Sequence, residues 1–151
     1  MISVDLAARL RATGLRWHPT PADRFTLLNQ AFDGDVFTIS DMVVEAHHRP
    51  EGTVLGFNGT TEWALDSAEA SEALWLPRED QLRGLLAGTF RQLTRDGDAW
   101  VVTAVLPGGD GPEHFAAAEA ADAYGSALLA LLAVVDDAGP APEDVAPSPP
   151  S

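Results

Sequence analysis

The sequence predicts an α+β fold in which antiparallel strands of hairpins and a meander pack with about three helices. Three observations predict it. Turn residues recur at short intervals in the first half of the chain, as they do between short strands. Three further short strand-like segments follow one another after residue 88, separated only by turns. Apolar residues recur at helical spacing near the N-terminus, after Pro77 and after Ala118.

The first helix is bounded by signals at both of its ends. Ser3 is a favourable N-cap, and Asp5 stands in the first turn, where the helix dipole favours negative charge. Gly14 stands where a left-handed residue commonly ends a helix. Leu6 and Leu10 form the apolar stripe, so we expect this helix to pack on the core through them.

Short strands are predicted after a loop that contains two prolines. They are Arg24 to Leu27, Val36 to Ile39, Met42 to Ala46 and Thr53 to Phe57. Asn58-Gly59 is the strongest short hairpin signal, because both residues tolerate the positive φ angles of a type I′ turn. We therefore expect Thr60 to Leu65 to pair with Thr53 to Phe57.

The second half of the chain is predicted to alternate between helices and a meander. Asp66-Ser67 offers a cap for a helical turn through Ala73, and Pro77 suits the first position of a helix from Arg78 to Ala87. The three strands of the meander are Thr89 to Arg95, Ala99 to Leu106 and Glu113 to Ala116. A final helix is predicted from about Glu119 to Val135.

The final helix is apolar on all sides from Leu128 onward, so it is expected to be buried under the sheet or against another subunit. The helix Glu119 to Val135 is therefore the candidate contact for a homo-oligomer. Residues 136–151 contain five prolines and four acids, too few apolar groups to offset the entropy of ordering. We expect one domain over residues 1–135 and a disordered acidic tail over 136–151.

Composition excludes several chemistries. The chain of 151 residues has no Cys and no Lys, which excludes disulfides, thiolate metal sites, Schiff bases and a phosphate-binding loop ending in Gly-Lys. A net charge of −14 repels nucleic acids and anionic lipids and favours a basic protein partner. No secretory signal and no apolar stretch of spanning length are present, so a cytoplasmic protein without membrane insertion is expected.

The order helix, three strands, helix over residues 78–135 matches the topology of double-stranded RNA-binding domains. Such a domain meets phosphates with Lys and Arg at the start of its second helix. This chain has Ala116 to Ala118, Glu119 and Asp122 there, so we predict that it does not bind nucleic acid.

The histidines and the Gly-rich run also do not predict a metal-binding or phosphate-binding site. The four histidines are His18, His47, His48 and His114. His47 and His48 are adjacent on a predicted strand, so their side chains would point to opposite faces and could not share a metal. Gly108 to Gly111 lies between two strands of the meander and is expected to be a flexible connection. We predict no metal site, no cofactor and no catalytic residues. An enzyme whose site is built from carboxylate, His and Arg remains an alternative.

The densest segment of the chain is Phe57 to Ser67, with Trp75 close behind it. Trp63 is either a core residue of its strand or a partly exposed aromatic beside Glu62, of the kind enriched in interface hot spots. Glu62, Trp63 and Trp75 therefore form the candidate interaction surface.

This segment, together with Leu15-Arg16-Trp17, Asp23-Arg24-Phe25 and Trp75 to Arg83, resembles a family of small proteins from high-GC bacteria that are frequently labelled pilus assembly protein CpaE. The resemblance covers roughly residues 1–135. The label implies a P-loop ATPase, but the chain lacks the loop and its Lys, so we expect no ATPase activity. No catalytic residue is carried over.

The leading expectation for function is a small acidic non-catalytic adaptor or regulator that binds another protein. A structural role in pilus or secretion assembly, as the family label suggests, is the alternative.

Overall fold

The computed structural model describes residues 1–28, 34–39 and 72–139, together with the backbone of 44–49, 52–57 and 67–69. Within these residues the fold is α+β, with three α-helices and three antiparallel sheets of three strands each. The predicted fold class is therefore confirmed. None of the helices in the described part of the chain is long and apolar enough to cross a membrane.

The elements follow one another with short connections. In chain order they are α1 (Val4–Ala12), β1 (Arg24–Leu27), β2 (Val36–Thr38), β3 (Val44–Arg49), β4 (Gly52–Phe57), β5 (Ser67–Glu69), β6 (Ala73–Leu76), α2 (Glu79–Leu86), β7 (Phe90–Asp96), β8 (Ala99–Val105), β9 (Pro112–Ala117) and α3 (Ala120–Asp137). A 3-10 turn, Ala87–Thr89, follows α2. The strand orders are β2-β1-β6, β3-β4-β5 and β7-β8-β9.

Helix α1 begins and ends where its signals predict. The Ser3 hydroxyl accepts a hydrogen bond from the Leu6 amide at 3.4 Å, and Gly14 has a φ of +93°. Leu6 and Leu10 are buried. Since an N-cap and a left-handed terminal residue act within one turn, these ends could be located without tertiary information.

The Asn58-Gly59 hairpin lies outside the described residues, but the register of β4 constrains it. A two-residue turn there would place Glu62 opposite Leu55. Leu55 instead pairs with Ala68 of β5 on one side and Ala46 of β3 on the other. Both edges of β4 are taken at this point, so the predicted pairing of Thr53 to Phe57 with Thr60 to Leu65 is wrong in its register.

The helical turn predicted through Ala73 is also wrong. Ser67–Glu69 is strand β5, and Ala73–Leu76 is strand β6, which pairs along its whole length with β1. Alanines favour a helix locally, but pairing with β4 and β1 overrides a weak propensity in so short a segment.

The helix after Pro77 forms as predicted, with its start shifted by one residue. Arg78 is the N-cap of α2, so Pro77 precedes the helix rather than occupying its first turn. The Arg78 amide donates to the side-chain oxygen of Gln81 at 3.0 Å. The predicted meander is confirmed by the pairing of β7 with β8 and of β8 with β9.

One apolar core joins the helices to β6 and to the meander. Its members include Leu10 of α1, Leu74 and Leu76 of β6, Leu82 and Leu86 of α2, Val102 of β8, and Tyr124 and Leu128 of α3. Helices α1 and α3 touch at Gly125, where an added Cβ would lie 2.7 Å from the Leu6 Cδ2 atom and 3.1 Å from the Ile2 Cδ1 atom. This close contact fixes the distance between the two helices.

Helix α3 is buried within the chain only over its first half. Its buried residues end at Leu128, and Val135 is 54% exposed. Ser3 contacts Asp122, and Leu6 contacts Gly125, so α1 begins beside the start of α3 and runs in the same direction. Because α1 has nine residues and α3 has eighteen, α1 cannot cover the last turns. Burial of α3 on all sides is not confirmed.

Candidate interaction surface around Asp23

Two segments that are far apart in the sequence, residues 17–23 and residues 78–81, meet at the carboxylate of Asp23, whose side chain is 1% exposed. Its Oδ2 atom accepts hydrogen bonds from the Trp17 indole at 2.9 Å and from the Thr20 amide at 3.1 Å. Its Oδ1 atom accepts hydrogen bonds from the side-chain amide of Gln81 at 2.6 Å and from the Arg78 guanidinium at 3.3 Å. We call these five residues the Asp23 clasp.

The backbone around Asp23 is held from both sides. The Asp23 amide donates to the Thr20 carbonyl, which closes a turn, and Ala22 adopts a φ of +69°. The Ala22 amide donates to the Ile39 carbonyl at 2.7 Å, and the Ile39 amide donates to the Asp23 carbonyl at 2.9 Å. Arg78 also donates to the Ala22 carbonyl at 2.8 Å. The clasp therefore ties the loop before β1 to the start of α2.

The Asp23 carboxylate is held in its charged form. Burial by itself raises the pKa of Asp23, but the hydrogen bonds from Trp17, Gln81 and Thr20 outweigh it, so the pKa lies below its ordinary value. Four donors fill the four acceptor positions of the two oxygens. Asp23 can therefore neither take up a proton near neutral pH nor bind a metal without losing these bonds. Its role is to orient its partners.

Trp17 is the partner that the clasp presents at the surface. Its side chain is half-buried, and its ring centroid lies 5.5 Å from that of Phe25. Phe25 stacks on Phe37 of β2, also at 5.5 Å, and pairs across the strands with Trp75 of β6. These aromatic residues share one face of the sheet, because Leu74, the neighbour of Trp75 in sequence, belongs to the core on the other face.

Of the three residues that the sequence indicates as an interaction surface, two cannot be compared with the structure. Glu62 and Trp63 lie outside the described residues. Trp75 is half-buried in β6, and its indole nitrogen is buried with no acceptor in the described part of the chain. Its part in an interaction remains a prediction.

Sequence reasoning did not single out Trp17 or Asp23, although a signal was available. Asp23 is the only acid between residues 6 and 28. The segments Leu15-Arg16-Trp17, Asp23-Arg24-Phe25 and Trp75 to Arg83 each contribute at least one residue to the clasp or to the aromatic face beside it.

Two exposed arginines flank the clasp in the sequence. Arg16 precedes Trp17, and Arg24 follows Asp23. Neither makes an ion pair with a carboxylate in the described ranges, although the whole chain has 23 acids and only nine arginines. Arg16, the neighbour of Trp17 in the chain, is therefore available to a partner beside an aromatic side chain of fixed orientation. Arg24 pairs across the strands with Leu76, so it lies on the face of the sheet opposite Phe25 and Trp17. We call Arg16 and Trp17 the Trp17 surface.

Of the other candidate positions, His114 and Gly109 make contacts within the fold. His114 of β9 shares a hydrogen bond of 3.0 Å with the Thr103 hydroxyl of β8, and His18 lies exposed in the loop before β1. His47 and His48 lie in β3, as predicted. Gly109 closes a turn on the Leu106 carbonyl between β8 and β9. No group of three or more metal-binding side chains occurs in the described residues.

The start of α3 is acidic where an RNA-binding domain would be basic. The Glu119 carboxylate is exposed and lies 3.4 Å from the Met1 amino group, and the Asp122 carboxylate accepts from the Ser3 amide at 2.7 Å. Both acids serve contacts with the start of α1.

Comparisons of the chain with models of protein families, with curated proteins and with solved structures find no match.

Proposed function

We propose that the protein is a small non-catalytic adaptor or regulator that binds another protein through the Trp17 surface. One observation carries the proposal: the half-buried Trp17 side chain is held by a buried carboxylate and by the Phe25 ring, and the neighbouring residue Arg16 is exposed. Tryptophan and arginine are among the residues that are enriched in interface hot spots.

The geometry of the clasp favours binding over catalysis. A side chain that is already held in one orientation loses little conformational entropy when a partner covers it. The clasp also has no free proton acceptor, because all four positions on Asp23 are occupied. Glu62 and Trp63 remain predicted members of the interaction surface, and a cytoplasmic location remains part of the proposal.

The test is an affinity pull-down with Arg16→Ala as the main variant and Arg83→Ala as its control. Both arginines are exposed, and neither makes a hydrogen bond or ion pair in the described chain, so neither substitution should affect folding. We expect wild type and Arg83→Ala to retain the same partner and Arg16→Ala to lose most of it. Equal recovery by both variants, with unchanged melting temperatures, would remove the Trp17 surface from consideration.

A structural role in pilus or secretion assembly is the second candidate. The observation that favours it is the exposed apolar end of α3, where Val135 is 54% exposed. A helix end of this kind suits self-association. Sedimentation of wild type and Val135→Glu over a range of concentrations tests it, because a surface that mediates assembly should lose self-association when a charge is introduced.

A further inference from the structure

We infer that two copies of the protein associate through the free edge of β9, so that their meanders form one sheet of six strands with the two copies of α3 side by side on one face. This inference does not depend on the Trp17 surface. It also uses a different side of α3 from the exposed Val135 at the end of that helix.

The two edges of the meander are protected to different degrees. Strand β7 is interrupted by a bulge between Phe90 and Gln92, and the Arg91 guanidinium donates to the Phe90 carbonyl at 3.1 Å. Strand β9 pairs with β8 without interruption from Pro112 to Ala117, and among the described strands it pairs with no other. Bulges and charged side chains keep edge strands from pairing with other chains. Of the two edges, that of β9 is therefore open to a further strand.

The side chains of β9 suit a twofold pairing centred on Phe115. Paired residues in an antiparallel sheet share a face, so in a twofold pair one residue stands opposite its own copy. With the half-buried Phe115 at the centre, two aromatic side chains pair, and Glu113 stands opposite Ala117 of the second copy. Centring the pair on Ala116 would instead place Glu113 opposite Glu119, and like charges directly opposite each other destabilise a sheet.

The side of α3 that faces β9 carries short side chains. The Tyr124 ring packs on Phe90 of β7 with the ring centroids 5.6 Å apart, so β9 lies towards the opposite side of α3 in a sheet of order β7-β8-β9. Positions two, six and nine after Tyr124 lie about 200°, 240° and 180° further around a helix of 3.6 residues per turn. They are occupied by Ser126, Ala130 and Ala133.

The distance between the two copies of α3 would fit direct helix packing. Helix α3 packs over both β8 and β9. Because strands in a sheet lie about 4.8 Å apart, a helix centred over these two strands lies about 4.8 Å from a twofold axis beside β9. The two helices are then about 10 Å apart, and helices with short side chains between them pack at about 8 to 10 Å. A strand of another protein would cover the edge alone, whereas a second copy also covers this side of α3.

The first experiment measures self-association by analytical ultracentrifugation at physiological salt, which screens the repulsion between two chains of charge −14. Ser126→Glu and Val135→Glu add the same charge to the same helix, but Val135 lies near the Tyr124 side. We expect wild type to dimerise, Ser126→Glu to weaken dimerisation about tenfold or more, and Val135→Glu to change it by less than about twofold.

Two results of this experiment would overturn the inference. One is a wild-type protein that stays monomeric over the whole range of concentrations. The other is a dimer that is lost in Val135→Glu and kept in Ser126→Glu, which would assign self-association to the end of α3.

The second experiment tests the register at exposed positions of a chain that has no natural Cys. In the register centred on Phe115, His114 stands opposite Ala116 of the second copy, within the distance that a disulfide spans. A mixture of His114→Cys and Ala116→Cys should therefore form about tenfold more disulfide-linked dimer than either variant alone. His114→Cys mixed with Thr94→Cys is the control, because Thr94 and Ala116 both pair with Val101 but lie on opposite edges of the meander.

The outcomes are separate from the test of the proposed function. Equal yields of linked dimer from the mixture and from its control would overturn the pairing through β9, whatever the pull-down shows. Loss of the partner in Arg16→Ala would leave the dimer unchanged, since Arg16 belongs to neither β9 nor α3.

Discussion

The Asp23 clasp and the meander with α3 are stabilised in opposite ways. The clasp brings together Trp17, Asp23 and Gln81, up to 64 positions apart, around one buried charge. In the meander, β7, β8 and β9 follow one another directly in the chain, and apolar side chains on one face pack on α3. The clasp therefore depends on polar contacts between distant residues, and the meander on local pairing and apolar burial.

Because of this difference, the clasp should be sensitive to charge and the meander should not. A buried carboxylate stabilises the fold only while it is ionised and all its donors remain in place. Apolar burial has no such dependence on protonation. Substitutions and pH changes should therefore separate the two regions.

The largest expected effect is that of Asp23→Asn. The side-chain amide of Asn carries hydrogen atoms on one of the two positions where the carboxylate of Asp23 accepts hydrogen bonds, so donors there lose their acceptor. The substitution also leaves the Arg78 charge without its buried partner. We expect the free energy of unfolding to fall by about 3 to 5 kcal/mol, measured by urea denaturation at neutral pH. Asp98→Asn, in the exposed turn between β7 and β8, is the control and should change little. A loss below about 1 kcal/mol for Asp23→Asn would mean that the clasp does not stabilise the fold.

The second expected effect is a pH dependence that belongs to the clasp. Because the pKa of Asp23 is lower in the folded protein than in the unfolded chain, its contribution is fully present above the unfolded pKa of about 4 and is lost as the pH falls through the folded pKa. The stability difference between wild type and Asp23→Asn should therefore shrink below about pH 4. Leu128→Ala, in the core beside the meander, should keep a constant difference over the same range. Parallel curves for wild type and Asp23→Asn would contradict this assignment.

A smaller effect is expected where α1 meets α3. Gly125→Ala gains helix propensity, but its Cβ would overlap the buried Leu6 side chain, so we expect a net loss of about 1 to 2 kcal/mol. Gly84→Ala in α2 is the matched control, since nothing lies within 4 Å of its added Cβ. That variant should be more stable than wild type by up to about 1 kcal/mol. A melting temperature of Gly125→Ala at or above that of wild type would exclude a tight contact between α1 and α3.

The smallest effect is expected at Trp75. Trp75→Phe removes an indole N–H that is buried without an acceptor in the described part of the chain, which offsets the loss of buried ring area. We expect stability to stay within about 1 kcal/mol of wild type. Trp100→Phe is the comparison, because Trp100 has a partner: the Arg95 guanidinium lies 4.9 Å from the centroid of its ring. The substitution weakens this contact, and its loss of stability shows what a tryptophan with a partner contributes. A large loss for Trp75→Phe would indicate that its N–H has a partner.

Local signals were sufficient for the elements whose causes are local. The caps of α1, the bounds of β1, the meander and the start of α3 could all be predicted, because a cap or a turn acts over a few residues. The segment from Ser67 to Leu76 could not be predicted, since its helical propensity is overridden by pairing with β4 and β1.

The α+β class, the position of most helices and strands, and the chemistries excluded in a chain without Cys and Lys could all be derived from the order of residues. The meeting of Trp17, Asp23, Arg78 and Gln81, the close approach of α1 to α3 at Gly125 and the exposed end of α3 became visible only in the folded chain. Secondary structure follows from interactions within a few residues, which the order of residues displays directly. A hydrogen-bond network between positions 17 and 81 depends on how the chain packs, and no local pattern records that packing.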